Sequence, residues 1–363
     1  MKQPQRVMNS PYMQWAKSQA HAKYNLGTSG IINYPLSDLP VSLDDLEITG
    51  NSYYGYPPLL EALAEHCSVT TDRIFTTLGT SMANHLAMAV LLEPGDEVLI
   101  EEPTYELLLS TAGYLGLTIK RFPRRAEQHF QIDLDTLAHA ITPKTKLIVI
   151  TNLHNPTGAY TDEATLTQIG KIARVSDAKV LVDEVYLEAA YDISPRSSVN
   201  LGNEFIVTNS LTKVYGLSGL RCGWILAGAE IIKRLWLLND LFNVNHSHPS
   251  ELLSVIALQN IDRILNRTKS ILESNRTILN QFLDSRDDLE ISRMKFGTTV
   301  FPRLLKGNVD TFCTLLHDRY ETLVVPGRFF EMPHHIRIGL GIQQEEFREG
   351  IVRIAEALDK IKK

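Results

Sequence analysis

Cysteine is scarce in this chain: Cys67, Cys222 and Cys313 are the only three in 363 residues, and they stand far apart. That excludes a disulfide framework and fits a reducing compartment, so the expected location is cytoplasmic. Long apolar runs are missing as well. The longest, Leu86 to Leu92, falls far short of the roughly 20 residues that a spanning helix requires, so no membrane partner is expected. The first residues, Met1 to Arg6, carry no apolar signal core. Positive charge is not in excess either. Lys and Arg number 36 against 42 Asp and Glu, a net charge of −6, which argues against a nucleic-acid-binding surface. His246 and His248 share a loop with no thiol beside them, and no metal site is expected.

What remains is an ordinary globular composition, 44% hydrophobic and 8% aromatic. The length exceeds a single unit of roughly 100–200 residues, which predicts a large and a small domain. Strand-like and helix-like segments alternate from about Asn51 to Leu265, the pattern of an α/β fold whose mostly parallel sheet is sandwiched by helices. We divide the chain into residues 49–267 as the large domain and residues 268–363 as a small α+β domain, which the N-terminal segment 1–48 joins. The last helix is expected to bury Phe347, Ile351, Ile354, Leu358 and Ile361, with Lys360, Lys362 and Lys363 complementing its C-terminal dipole.

Lys213 is the residue around which a function can be built. An apolar run, Phe205-Ile206-Val207, leads into Ser210-Leu211-Thr212-Lys213 and then a glycine-rich turn reaching Arg221. A lysine amine held away from water loses proton affinity and becomes a nucleophile or base toward a carbonyl. The fixed charge of Arg221 suits a phosphate and would hold that pKa down. A solvated loop also fits this motif alone, so other segments must complete the site.

Three do. Lys179-Val180-Leu181-Val182-Asp183-Glu184-Val185-Tyr186 reads as a central strand ending at a cleft. Alternation turns Val182 and Glu184 away from the face of Asp183, which leaves Asp183 to pair with a protonated ring nitrogen and Tyr186 to meet a phenolic oxygen. Leu147 to Leu153 forms a second strand, running into His154-Asn155-Pro156-Thr157-Gly158, where Asn155 offers an amide at the sheet edge. Ile74 to Leu78 forms a third, after which Gly79-Thr80-Ser81 opens an apolar helix. Unpaired amides at such a helix start, with two hydroxyls, suit a phosphate, although a plain cap has the same appearance.

The set Gly79-Thr80-Ser81, Pro103-Thr104-Tyr105, Asn155-Pro156-Thr157-Gly158, Asp183 with Tyr186, Ser210-x-Thr212-Lys213, Arg221 and Arg337 resembles the class I/II aminotransferases, pyridoxal-phosphate enzymes of the aspartate-aminotransferase fold. The resemblance runs from about Tyr53 to Arg337. It implies pyridoxal 5'-phosphate as cofactor, carried by Lys213 as an internal aldimine, with Asp183 on the ring nitrogen. Asn155 and Tyr186 would bind the phenolic oxygen, and Tyr105 would stack on the ring. Thr80, Ser81, Ser210, Thr212 and Arg221 would surround the phosphate. Arg337 would clamp the substrate carboxylate, with Asn155 beside it, because a guanidinium grips a carboxylate with two parallel bonds. The segment Asn25 to Ile31 is expected to border the site, where Gly30 permits close backbone approach to a substrate.

The implied activity moves an amino group between an α-amino acid and a 2-oxo acid. A lyase, decarboxylase or cyclising enzyme would use the same groups, and a non-enzymatic regulator is the remaining alternative. The family implies a homodimer in which a tyrosine reaches the neighbouring subunit's phosphate. Here the segment Tyr53-Tyr54-Gly55-Tyr56 is compressed, with Tyr53 the first choice for that task and Tyr54 the second.

Overall fold

The computed structural model describes residues 6–50 and 52–361. The first five residues, Asn51, Lys362 and Lys363 lie outside that description, and with them most of the N-terminal stretch and two of the three lysines expected to complement the last helix. Seven strands form the central sheet: β1 (Ile74–Leu78), β2 (Glu97–Glu102), β3 (Thr118–Pro123), β4 (Thr145–Thr151), β5 (Lys179–Asp183), β6 (Phe205–Ser210) and β7 (Cys222–Leu226). They lie in the order β1-β7-β6-β5-β4-β2-β3. Only β7 runs against its neighbours; the β2–β3, β2–β4, β4–β5 and β5–β6 pairs are parallel. This is the α/β sandwich that the segment pattern predicts.

Strand alternation divides the core between the two faces. Ile148, Ile150, Val180, Val182, Phe205, Val207 and Trp224 pack to one side. Leu147, Val149, Leu181, Ile206 and Ile225 pack to the other, beneath helices α1 (Thr80–Leu91), α2 (Glu106–Tyr114) and α3 (Ala229–Asn239). The first face is covered in part by Leu166, Ile169 and Ala173 of Glu163–Val175. A strand apolar on both faces must be covered on both, because burial contributes about 25 cal/mol per Å² of apolar surface.

The C-terminal residues build a smaller sheet of Thr299–Val300, Ile336–Gly339 and Val325–Pro326. A helix at Ile261–Asp284 precedes it. The closing helix, Gln344–Ile361, buries Phe347, Ile351, Ile354 and Leu358, in keeping with the stripe read from sequence. N-terminal residues join this group, with Tyr24–Asn25 pairing in parallel with Thr322–Leu323. Among the described residues no helix is long and apolar enough to cross a membrane, and no group of three or more His, Cys, Asp or Glu is placed to hold a metal.

Candidate active site

Parallel strands bring their C-terminal ends to one edge of the sheet, and side chains just past those ends converge there. A cavity of about 380 Å³ opens at that edge. It is lined by Thr80 and Ser81 after β1, Tyr105 after β2, Thr151 and Asn155 from β4, and Asp183 with Tyr186 from β5. Ser210, Thr212, Lys213 and Arg221 from the β6–β7 connection complete that side. Tyr12, Trp15, Thr28 and Ser29 reach the same cavity from the N-terminal segment.

Phosphate-binding chemistry gathers at one end. Gly79 precedes α1 with a φ of +78°, and a Cβ there would sit 2.6 Å from Arg221 Nη2. Only glycine lets the guanidinium come so near the helix start. The Thr80 hydroxyl donates to Ser210 Oγ at 2.8 Å, and Thr212 N donates to the same oxygen at 3.3 Å. Arg221 is held by Leu78 O at 3.0 Å. Ser81 and Arg221 are exposed, so this end of the cavity faces outward.

Asp183 sits at the buried centre. Asn84 Nδ2 donates to its Oδ2 at 2.8 Å, and Val185 N donates to Oδ1 at 3.1 Å. Burial nonetheless raises its pKa to about 6, because two hydrogen bonds do not replace the water the carboxylate has lost. Lys213 responds in the opposite direction. Burial of its amine and then the charge of Arg337 lower its pKa to about 8, with Arg221 adding to the effect and Asp183 opposing it. An amine that sheds its proton near neutral pH is suited to condense with a carbonyl or to move a proton.

Arg337 is fully enclosed. Its Nη1 donates to Asn155 Oδ1 at 3.1 Å, and its Nη2 donates to the Tyr12 hydroxyl at 2.8 Å and to Gly27 O at 3.0 Å. Arg337 thereby takes the carbonyl side of Asn155 and leaves the amide N–H groups for the cavity. Its own Nε has no partner, so one donor of the carboxylate-binding fork is still free. Tyr12 packs edge-on against Tyr105, with ring centres 5.8 Å apart. The pKa of Tyr186 is raised by burial.

Not every sequence-selected residue lines the cavity. Gly30 packs behind Lys213 and Gly79 against Arg221, Arg337 lies behind Asn155 and Tyr12, and Tyr53 is 73% exposed on the surface, as Tyr54 is at 56%. Tyr12, Trp15, Asn84 and Thr151 at the site escaped the sequence reading, whereas Ser29 lies in the Asn25 to Ile31 segment expected at its border. Asn84 left a signal, since it is a lone amide on the buried face of an otherwise apolar helix. His248, read as a loop residue, is buried beside Glu251 and Glu47. Cys222 is buried in β7, where desolvation pushes its thiol up to about 12 and leaves it inert.

Glu184, next to Asp183, points to the opposite face and accepts from Ser198 N at 2.8 Å and Ser198 Oγ at 2.6 Å. Burial raises its pKa to about 7. In an unfolded chain both acids ionise near pH 4. Between about pH 4 and 7 the folded, cofactor-free protein therefore holds protons that the unfolded chain has released, and the stability these groups contribute declines as pH rises. Glu184→Gln removes one of the two. Its unfolding free energy should gain on wild type from about pH 5 to about pH 8, by up to roughly 2–3 kcal/mol, read as a growing difference in melting temperature. A difference independent of pH would refute the titration.

The groups present suit pyridoxal phosphate: a helix start with hydroxyls and Arg221 at one end, a buried acid, an aromatic wall in Tyr105, free amide donors on Asn155, and an amine. The comparisons agree. Residues 47–354 match the sequence profile of the family described as "Aminotransferase class I and II". The capreomycidine synthase of Streptomyces vinaceus is 28% identical, the match covering 98% of this chain and 95% of that one. The arginine–pyruvate transaminase of Pseudomonas aeruginosa is 27% identical over 88% of this chain and 86% of its own. A crystal structure of a PLP-dependent aminotransferase from Streptococcus suis superposes with a TM-score of 0.93 at 27% identity, covering 99% of this chain and 100% of that one.

Proposed function

Because the chain belongs to the class I and II aminotransferases, whose members depend on pyridoxal phosphate, we propose that it transfers an amino group from an α-amino acid to a 2-oxo acid. The carrying observation is that the Lys213 amine and the Asp183 carboxylate line one cavity, with Arg337 bonded to Asn155 and Tyr12 of its wall. The cofactor supplies an aldehyde that condenses with amines and a ring that draws electrons from the substrate α-carbon.

The chain's own residues do the rest. The start of α1, with Thr80, Ser81, Ser210, Thr212 and Arg221, holds the phosphate. Asp183 would keep a proton on the ring nitrogen; Asn155 would donate to the phenolic oxygen, and Tyr186 would do so on turning its hydroxyl from Ser29. Tyr105 covers the ring. Lys213, once its amine is free, would take the proton from the substrate α-carbon and return it to the carbon on the far side of the nitrogen, two atoms away. Arg337 fixes the substrate carboxylate so that this proton faces Lys213. Arg337→Ala should raise the KM for the amino donor by the loss of a charge-assisted pair, about 2–3 kcal/mol, with kcat much less affected. An unchanged KM would move carboxylate binding elsewhere.

A second reading is favoured by the near-complete overlap with capreomycidine synthase: a cyclising or eliminating enzyme using the same amine and acid. The two part on products. Amino donors assayed with pyruvate, oxaloacetate and 2-oxoglutarate should yield the donor's oxo acid only when an acceptor is present. Turnover that needs no oxo acid and releases ammonia or water would replace aminotransfer with that reading. We also propose a homodimer. Tyr53, Tyr54, Leu241, Phe242 and Val244 are exposed apolar residues that such an interface would cover.

A further inference from the structure

Ser29 lies in the Asn25 to Ile31 segment expected to border the site, and its hydroxyl is where two functional side chains meet. Lys213 Nζ donates to Ser29 Oγ at 3.2 Å, and the Tyr186 hydroxyl donates to the same oxygen at 2.8 Å. With both its acceptor positions used, Ser29 has its own proton left to offer to the cavity that it lines. The side chain is buried.

The backbone holds this oxygen in place from three directions. Ile31 N donates to Lys213 O at 2.8 Å, which ties the segment directly to the lysine's own main chain. Thr298 Oγ1 donates to Ser29 O at 2.7 Å, and Ile32 N donates to Gly341 O at 2.7 Å, which tie it to the C-terminal residues. Gly30 is what allows the approach. A Cβ at Gly30 would meet Lys213 O at 3.3 Å and Lys213 Cδ at 3.4 Å, so a side chain there would sit tight against the lysine main chain and touch its stem.

A long lysine side chain left free would sample many rotamers, and each lost encounter costs rate. A hydroxyl is an apt anchor for it. It accepts from a neutral amine without adding a charge, whereas a carboxylate at that spot would drive the amine toward its protonated, unreactive form.

We propose that Ser29 is a positioning residue for Lys213: it fixes the free amine over the place where the cofactor's aldehyde carbon and the substrate α-carbon react. The inference rests on Lys213 as the cofactor-binding amine, and not on which reaction follows.

The test uses the full-length enzyme with Ser29→Ala and Ser29→Thr. Stripped of cofactor and mixed with pyridoxal phosphate, S29A should form the visible lysine adduct about 5- to 20-fold more slowly than wild type, while reaching the same final occupancy. In the reloaded enzyme kcat should fall about 10- to 100-fold with KM for the amino donor nearly unchanged. The isotope effect with an α-deuterated donor should grow, because proton transfer then limits the rate. S29T, which keeps the hydroxyl, should recover most of both losses. Adduct formation at the wild-type rate in S29A overturns the inference, as does a loss that S29T fails to relieve while both variants melt like wild type. The adduct rate is read without any turnover, so absence of aminotransfer alongside slowed adduct formation counts against the proposed function and supports the role of Ser29.

Discussion

Lys213→Ala should abolish the visible absorbance of the cofactor adduct and lower kcat by at least about a thousandfold, near the upper part of what a general base contributes. The argument is one of supply. Among the ionisable groups lining the cavity, Asp183 is committed to hydrogen bonds with Asn84 and Val185, and the Arg221 guanidinium to Leu78 O and Ser218 O. Tyr186 is held protonated by burial. Lys213 alone is an amine whose proton is loosened, its pKa lowered to about 8 by burial and by Arg337. The alanine variant should fold normally, since a desolvated ammonium contributes little to stability. Absorbance spectra and single-turnover rates check the expectation. Retained turnover in K213A would end the assignment, because among the described residues no second amine lines the cavity.

Asp183→Asn should be the next most damaging change. The amide keeps the shape of the acid but cannot carry a charge, so a protonated ring nitrogen would lose its partner in a buried setting. Breaking such a pair costs about 3–5 kcal/mol, which is between about a hundredfold and several thousandfold in kcat. The pKa of the acid, raised to about 6 in the free protein, bears on the same point. Without a cation beside it the carboxylate resists ionisation, and a ring proton would reverse that. The spectrum of the lysine adduct should persist in D183N while kcat falls. A kcat within threefold of wild type would show that the ring nitrogen needs no acid here.

The strands were legible because a buried parallel strand is written as a short β-branched run, and Lys179–Asp183 and Thr145–Thr151 are such runs. Asp183 and Glu184 were separable because successive side chains on a strand point to opposite faces. The structure keeps them so, one at the cavity and the other bonded to Ser198. Asn155 and Lys213 announced themselves by standing just past strand ends. Tyr12 and Ser29 gave no such signal. Tyr12 stands on a short helix, Pro11–Ser18, and reaches the site through Arg337, while Ser29 lies in an irregular stretch held by bonds to Thr298, Lys213 O and Gly341 O.

Arg337 marks the boundary. Its strand was readable, but its bonds to Asn155, Tyr12 and Gly27 join residues 182, 325 and 310 positions away in the chain. Sequence by itself determined the α/β sandwich and the chemical kinds of group at the sheet edge, since hydrophobic period and strand-end position are local properties. Tertiary structure alone decided which N-terminal hydroxyls share the cavity and how Arg337 is oriented. Contacts across such separations are fixed by how the layers pack, and no local pattern encodes them.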